Sequence, residues 1–150
     1  MSAEIEQEDL QETIEDDIET RYLIILRETG EVTLFPTETV YMHLSRLKNV
    51  IGANWVGVSA CSALNSFVKS EGDNSVFVML YDDDGLMNPE LKENRLAELA
   101  YGLESKIVGD VIICSVDPAS QRNFVMTLED EAADNAITFL TKIAPRIAKR

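Results

Sequence analysis

Residues 75–81, SVFVMLY, carry no charge and are dominated by β-branched and aromatic side chains. A strand that is apolar on both faces belongs inside a sheet that is itself covered on both sides. This run reads as a central strand, and the remaining elements are read as what surrounds it. RYLIILRETGEVTLFPT reads as a β-hairpin, with two apolar runs around the turn signal Glu28-Thr29-Gly30 and Pro36 closing the second arm. Thr37 is placed to cap a helix whose face carries Val40, Leu44, Leu47 and Ile51, with Gly52 as its stop. NWVGVSACS reads as a strand with Trp55 as a core anchor. ALNSFVKSEGDN fits either a short helix or the return arm of a second hairpin, with residues 70–74 as a loop.

Farther along, Asn88 and Pro89 predict a helix start, and Leu96, Leu99, Ala100 and Leu103 form its apolar stripe, with Tyr101 and Gly102 at its end. SKIVGDVIICSVD is a strand interrupted at Gly109. Thr127 with Asp130 resembles a helix N-cap followed by an acid in the first turn. The last helix carries Ala133, Ile137, Leu140, Ala144 and Ile147 in register, and Pro145 is expected to kink it or end it near Ala144. The expected fold is α+β: a mixed or antiparallel sheet of four to six strands with two or three packed helices.

The 150 residues are enough for one domain with a real core. Charge divides the chain in two. Residues 1–20 hold nine acids and no base, whereas the other 130 hold 18 acids and 13 bases, so the segment carries nine of the 14 net negative charges. Ile5, Leu10, Ile14 and Ile18 would form a thin apolar stripe if it became helical, but its acidity predicts a disordered or conditionally helical tail on a domain of residues 21–150. Phosphate-backbone affinity comes from clustered Lys and Arg, so no direct nucleic-acid binding is expected. Lys142, Arg146, Lys149 and Arg150 cluster at the C-terminus, where cations complement a helix dipole. No apolar run approaches the roughly 20 residues of a membrane span. No basic n-region or apolar h-region opens the chain, so the expected location is cytoplasmic. Cys61 and Cys114, far apart in apolar surroundings, read as small buried hydrophobes.

The most motif-like run is YDDDGLMNPELKENR, residues 81–95. With Gly85 at position 6 of a calcium loop, Asp82 and Asp84 fall at positions 3 and 5, but Leu80 and Leu91 occupy the ligand positions 1 and 12. Asp-Gly after an apolar strand instead signals a turn. The single histidine, His43, is read as a boundary residue of a helix. No nucleophile elbow and no glycine-rich phosphate loop is present, so no catalytic residue, metal or cofactor is expected. Arg95 is read mainly as a partner of Glu98, Glu90 or the acidic turn. The functional alternative is a ligand pocket in which Asn94 and Arg95 meet the break at Gly109, with Trp55 and Tyr101 as stacking surfaces.

The sequence of hairpin (LIILRETGEVTLF), Asp-Gly turn (DDDGLM), Asn-Arg pair (ENRLAELAYG) and Ile-Val-Gly strand (KIVGDVIIC) resembles a family of small domains of unknown function. These occur on phages, plasmids and other mobile elements of Gram-positive bacteria. The resemblance spans roughly residues 21–116, its matching positions being Gly85, Asn94, Arg95 and Gly109. The chain departs from the pattern by a longer CSALNSFVKSEGDNS and an added NPELKE. The resemblance implies a mobile-element setting and an α+β fold. The function expected is that of a non-catalytic interaction protein, an acidic inhibitor of a host defence or nucleic-acid-binding protein with a basic surface. The alternatives are a nucleotide-type small-molecule binder and an enzyme of unrecognised class. A homo-oligomer is compatible with either binding reading.

Overall fold

The computed structural model of the chain describes residues 20–70, 76–102, 105–116 and 123–148. The acidic segment before Thr20, the loop expected at 71–74, Leu103, Lys149 and Arg150 lie outside the described residues, as do the side chains of Arg146 and Ile147. The fold is α+β, as expected. Seven strands form one antiparallel sheet: β1 Arg21–Leu26, β2 Val32–Thr37, β3 Tyr41–His43, β4 Val56–Ala60, β5 Phe77–Asp82, β6 Val111–Ser115 and β7 Phe124–Met126. The order is β2-β1-β6-β5-β4, and β7 pairs with β6 at one end and with β3. The described α-helices are α1 Leu44–Leu47, α2 Ser62–Ser70, α3 Arg95–Tyr101 and α4 Asp130–Ala148, with a 3₁₀ turn at Gly85–Met87. The counts exceed the expected four to six strands and two or three helices because β3, β7 and α1 are only three or four residues long. Elements that short are held by tertiary contacts and leave little periodic signal.

The middle of the sheet is buried on both faces, which is why β1, β5 and β6 read as unbroken apolar runs. Ile24, Leu26, Phe77, Met79, Val111 and Ile113 point to the face covered by α2, α3 and α4. Leu23, Ile25, Val78, Leu80, Ile112 and Cys114 point to the other face, where they meet Met42 and Leu47 of the β3–α1 segment. The run SVFVMLY is an interior strand, between β4 and β6. Of the two readings of the segment before it, helix or hairpin arm, the structure has the helix, α2: Asn65 accepts from Phe77 N at 2.8 Å and donates to Phe77 O at 3.0 Å, so its amide ties the helix to β5.

Five local expectations are corrected. The helix expected from Thr37 is replaced by β3 and the single turn α1, because Tyr41–His43 find a partner strand in Phe124–Met126. His43 ends that strand and caps α1, accepting from Ser45 N through Nδ1 at 3.0 Å. Pro36 lies inside β2 rather than closing it, which an edge strand tolerates. The helix expected at Asn88 starts at Arg95 instead; Asn88 holds a turn by accepting from Glu90 N, and Asn94 is the N-cap. Thr127 is not a cap but a buried tie, accepting from Arg21 Nε at 2.8 Å and donating to Thr39 O at 2.6 Å. Helix α4 runs through Pro145 to Ala148 rather than stopping near Ala144.

Candidate functional site

Of the predicted ligand residues, Asn94 and Gly109 are brought together. The Asn94 amide donates to Leu26 O at 2.9 Å and to Gly109 O at 2.8 Å, while its Oδ1 accepts from Ala97 N at 3.1 Å. Its backbone N–H bonds Ile107 O at 2.7 Å. Asn94 is buried, and its side chain joins β1, the Gly109 break and the start of α3. Gly109 makes that break with a positive φ of 77°, and its N–H donates to Lys92 O. Arg95 follows on α3 and pairs with Glu98 at 3.1 Å. The buried second oxygen of Glu98 accepts from Ile107 N at 3.0 Å. Arg95 Nε is shielded from solvent and has no hydrogen-bond partner among the described residues.

Trp55 and Tyr101 lie elsewhere. Trp55 is not a core anchor: it is 70% exposed, at the start of edge strand β4. Its carbonyl accepts from Asp83 N at 2.9 Å, which joins it to the turn after β5. Tyr101 lines a cleft of about 400 Å³ with Tyr81, Asp82, Leu86 and Lys106. Tyr81 reaches the cleft because β4 has no side chain opposite it. Gly57 is its cross-strand partner, and a Cβ there would stand 2.4 Å from the ring. Ser59 Oγ lies 3.3 Å from the Tyr81 hydroxyl.

The stretch YDDDGLM is a turn, as its sequence predicts. Asp82 Oδ1 accepts from Asp84 N at 3.0 Å, and the chain then makes the 3₁₀ turn Gly85–Met87. That turn carries Leu86, 66% exposed, and Met87, 84% exposed. With Trp55 they are the three most exposed large apolar residues among those described, and all belong to the end of the sheet where β4 and β5 meet the acidic turn. Sequence reasoning passed over Leu86 and Met87. The available signal was two large apolar residues within turn residues, where neither helical nor strand periodicity directs them to a core.

Cys61 and Cys114 are free and buried, as expected. Burial pushes the Cys61 thiol up to about 12 and the Cys114 thiol higher still. Among the described residues no helix is long and apolar enough to cross a membrane, and no three of His, Cys, Asp and Glu are grouped so as to hold a metal ion. Compared with known proteins, the chain matches no family model, no curated protein and no solved structure.

Proposed function

We propose that this protein works by binding a protein partner, without catalysis, through the tip formed by Trp55, Leu86 and Met87. The observation that supports this reading is the exposure of those three side chains together beside Asp82, Asp83 and Asp84. Exposed apolar side chains rimmed by charge are what a binding surface presents before its partner arrives, and Trp and Met are enriched at such contacts. The acidic collar selects a partner whose apolar patch is bordered by Lys and Arg. The nine acids of residues 1–20 add long-range attraction to the same kind of surface. A host protein of a mobile element, as the family resemblance implies, is the class of partner proposed.

The test is affinity capture from the source cell with the full chain and with the double variant Leu86→Ser, Met87→Ser. Both side chains are exposed, so melting temperature should move little. A partner that the wild type retains and that salt elutes should bind the variant at least about tenfold more weakly, the loss of two contact residues near the centre of an interface. Equal retention by the two proteins rejects the tip.

A second reading is supported by the cleft itself. Tyr81 and Tyr101 with Lys106 offer ring surfaces and one cation to a nucleotide-type ligand with a single phosphate. Asp82 and Asp83 in the same lining oppose a polyphosphate, which places this reading second. Saturable thermal stabilisation by a nucleoside monophosphate, abolished by Tyr101→Ala, would favour it over the protein partner.

A further inference from the structure

The two outer strands of the sheet, β2 and β4, treat their free edges differently. In an antiparallel pair, residues that exchange hydrogen bonds with the neighbouring strand alternate with residues whose N–H and C=O point away from it. Beside the β1–β2 turn Arg27 N donates to Glu31 O at 2.8 Å, so Val32, Leu34 and Pro36 are the residues of β2 that point away from β1. Pro36 has no N–H to offer, and a proline at such a position blunts an edge against pairing. In β4 the bonded pairs are fixed at both ends: Asp83 N donates to Trp55 O at 2.9 Å and Cys61 N to Phe77 O at 3.0 Å. The register between them is unbroken, so Gly57 and Ser59 bond β5, while Val56, Val58 and Ala60 turn their N–H and C=O groups to the open side. No described residue pairs with those groups. Strand β4 has no proline and no bulge, and no charged residue stands between Lys48 and Lys69.

We propose that the open edge of β4 receives an extended segment of the protein partner as a further antiparallel strand, with β-branched residues beside Val58 and a lysine or arginine beside Gly57. This rests on the reading that the protein works by binding a partner, and it carries the Trp55 tip along the strand that begins there. The backbone is the first argument for that occupant. Three donors and three acceptors in line offer an extended peptide a complete ladder, whereas a helix has no N–H or C=O free along its sides. The two faces are the second. Partner residues opposite Val56, Val58 and Ala60 fall on the face of Val58, which is 40% exposed, and β-branched side chains pack there. Partner residues opposite Gly57 and Ser59 fall on the helix side. There Gly57 has no side chain and the Tyr81 ring lies over it, 2.4 Å from where a Cβ would stand. A side chain opposite Gly57 therefore meets that ring, and Asp82 and Asp83 line the cleft beyond it. A cation on a long apolar stem suits both. Charge is the third. A strand arriving antiparallel ends beside Trp55 and the turn at Asp82, Asp83 and Asp84. The chain's net charge is −14, so a basic segment is drawn to this edge while a second copy is repelled.

The experiment uses the full chain and a probe peptide of about ten residues alternating valine with lysine. Binding is followed by the fluorescence of Trp55, the chain's one tryptophan, and by amide hydrogen exchange in NMR spectra. In the free chain the amides of Gly57 and Ser59 should be protected and those of Val56, Val58 and Ala60 open. The peptide should bind saturably, more weakly as salt rises, and should slow exchange at those three amides at least about tenfold. Val58→Pro removes an N–H that points away from β5, so it should keep the fold and weaken the peptide at least about tenfold. The wild-type amides report even if that variant fails to fold. The double variant Leu86→Ser, Met87→Ser should still take the peptide on its edge, so failure of the tip and failure of the edge are told apart. A peptide that does not bind, or that binds without slowing the three amides, overturns the proposal. So does protection of those amides before peptide is added. Protection that falls on dilution would make a second copy the occupant, and protection that does not would mean that the chain covers its own edge.

Discussion

Asn94 shows how a residue that looks available for a ligand can be fully engaged by the fold. Its amide nitrogen serves two backbone carbonyls and its oxygen caps α3, leaving nothing pointed at a solute. Asn94→Ala removes a cap and leaves two carbonyls short of donors, so about 2–4 kcal/mol of stability should be lost in a urea titration. Asn94→Asp keeps the cap but turns a carboxylate oxygen toward the carbonyls of Leu26 and Gly109. Protonation supplies a donor there, so this variant should recover stability relative to wild type as pH falls. Gly57 illustrates close approach. Gly57→Ala should cost on the order of 1 kcal/mol by displacing the Tyr81 ring, and the cost should disappear in a Tyr81→Ala background, as a double-mutant cycle would show. The cysteines give a pH signature. Their folded values lie above the unfolded value of about 8.5, so the fold favours the neutral thiol. That contribution is whole below about pH 8.5 and is lost as pH rises toward 12. At pH 8 a thiol reagent should label both cysteines in urea and neither in the native protein.

At the scale of elements, three of the corrected expectations share one cause. Thr37, Asn88 and Thr127 each carry a side chain that can cap a helix, and each is used otherwise. Thr37 Oγ1 accepts from Thr39 N in the loop before β3. Asn88 holds a turn. Thr127 joins three separate segments, because Arg21 at the start of β1 donates to it and it donates to Thr39 O. Cap residues are favoured in turns for the same reason that they cap: a short polar side chain competes for nearby backbone groups. Thr127→Val, isosteric and without the hydroxyl, leaves the buried Arg21 Nε without that acceptor. A loss of about 1–3 kcal/mol is expected by thermal or urea denaturation, with the fold retained. Thr127→Ser should recover most of it, which separates the hydrogen bonds from packing.

Across the whole molecule, the first strand and the sixth lie side by side, with Ile24 opposite Ile113. Strand β6 joins the β1–β2 hairpin to β5 and β4, so no cooperative fold is expected from residues 1–104, and loss of the sigmoidal denaturation curve in that fragment would check it. Pairings so distant in sequence also predict folding in milliseconds to seconds, measurable by stopped-flow refolding. Legible from the residues alone were the α+β class, the β1–β2 hairpin, the interior strands, the Asp-Gly turn, the break at Gly109 and the burial of both cysteines. Each follows from composition or backbone chemistry within a few neighbouring residues. Tertiary contacts alone set that β3 replaces a helix, that Asn94 ties β1 and the Gly109 break to α3, and that Trp55 stands exposed with Leu86 and Met87. Those outcomes depend on which segment lies across the sheet, and apolar periodicity tells a side chain to be buried without naming what will cover it.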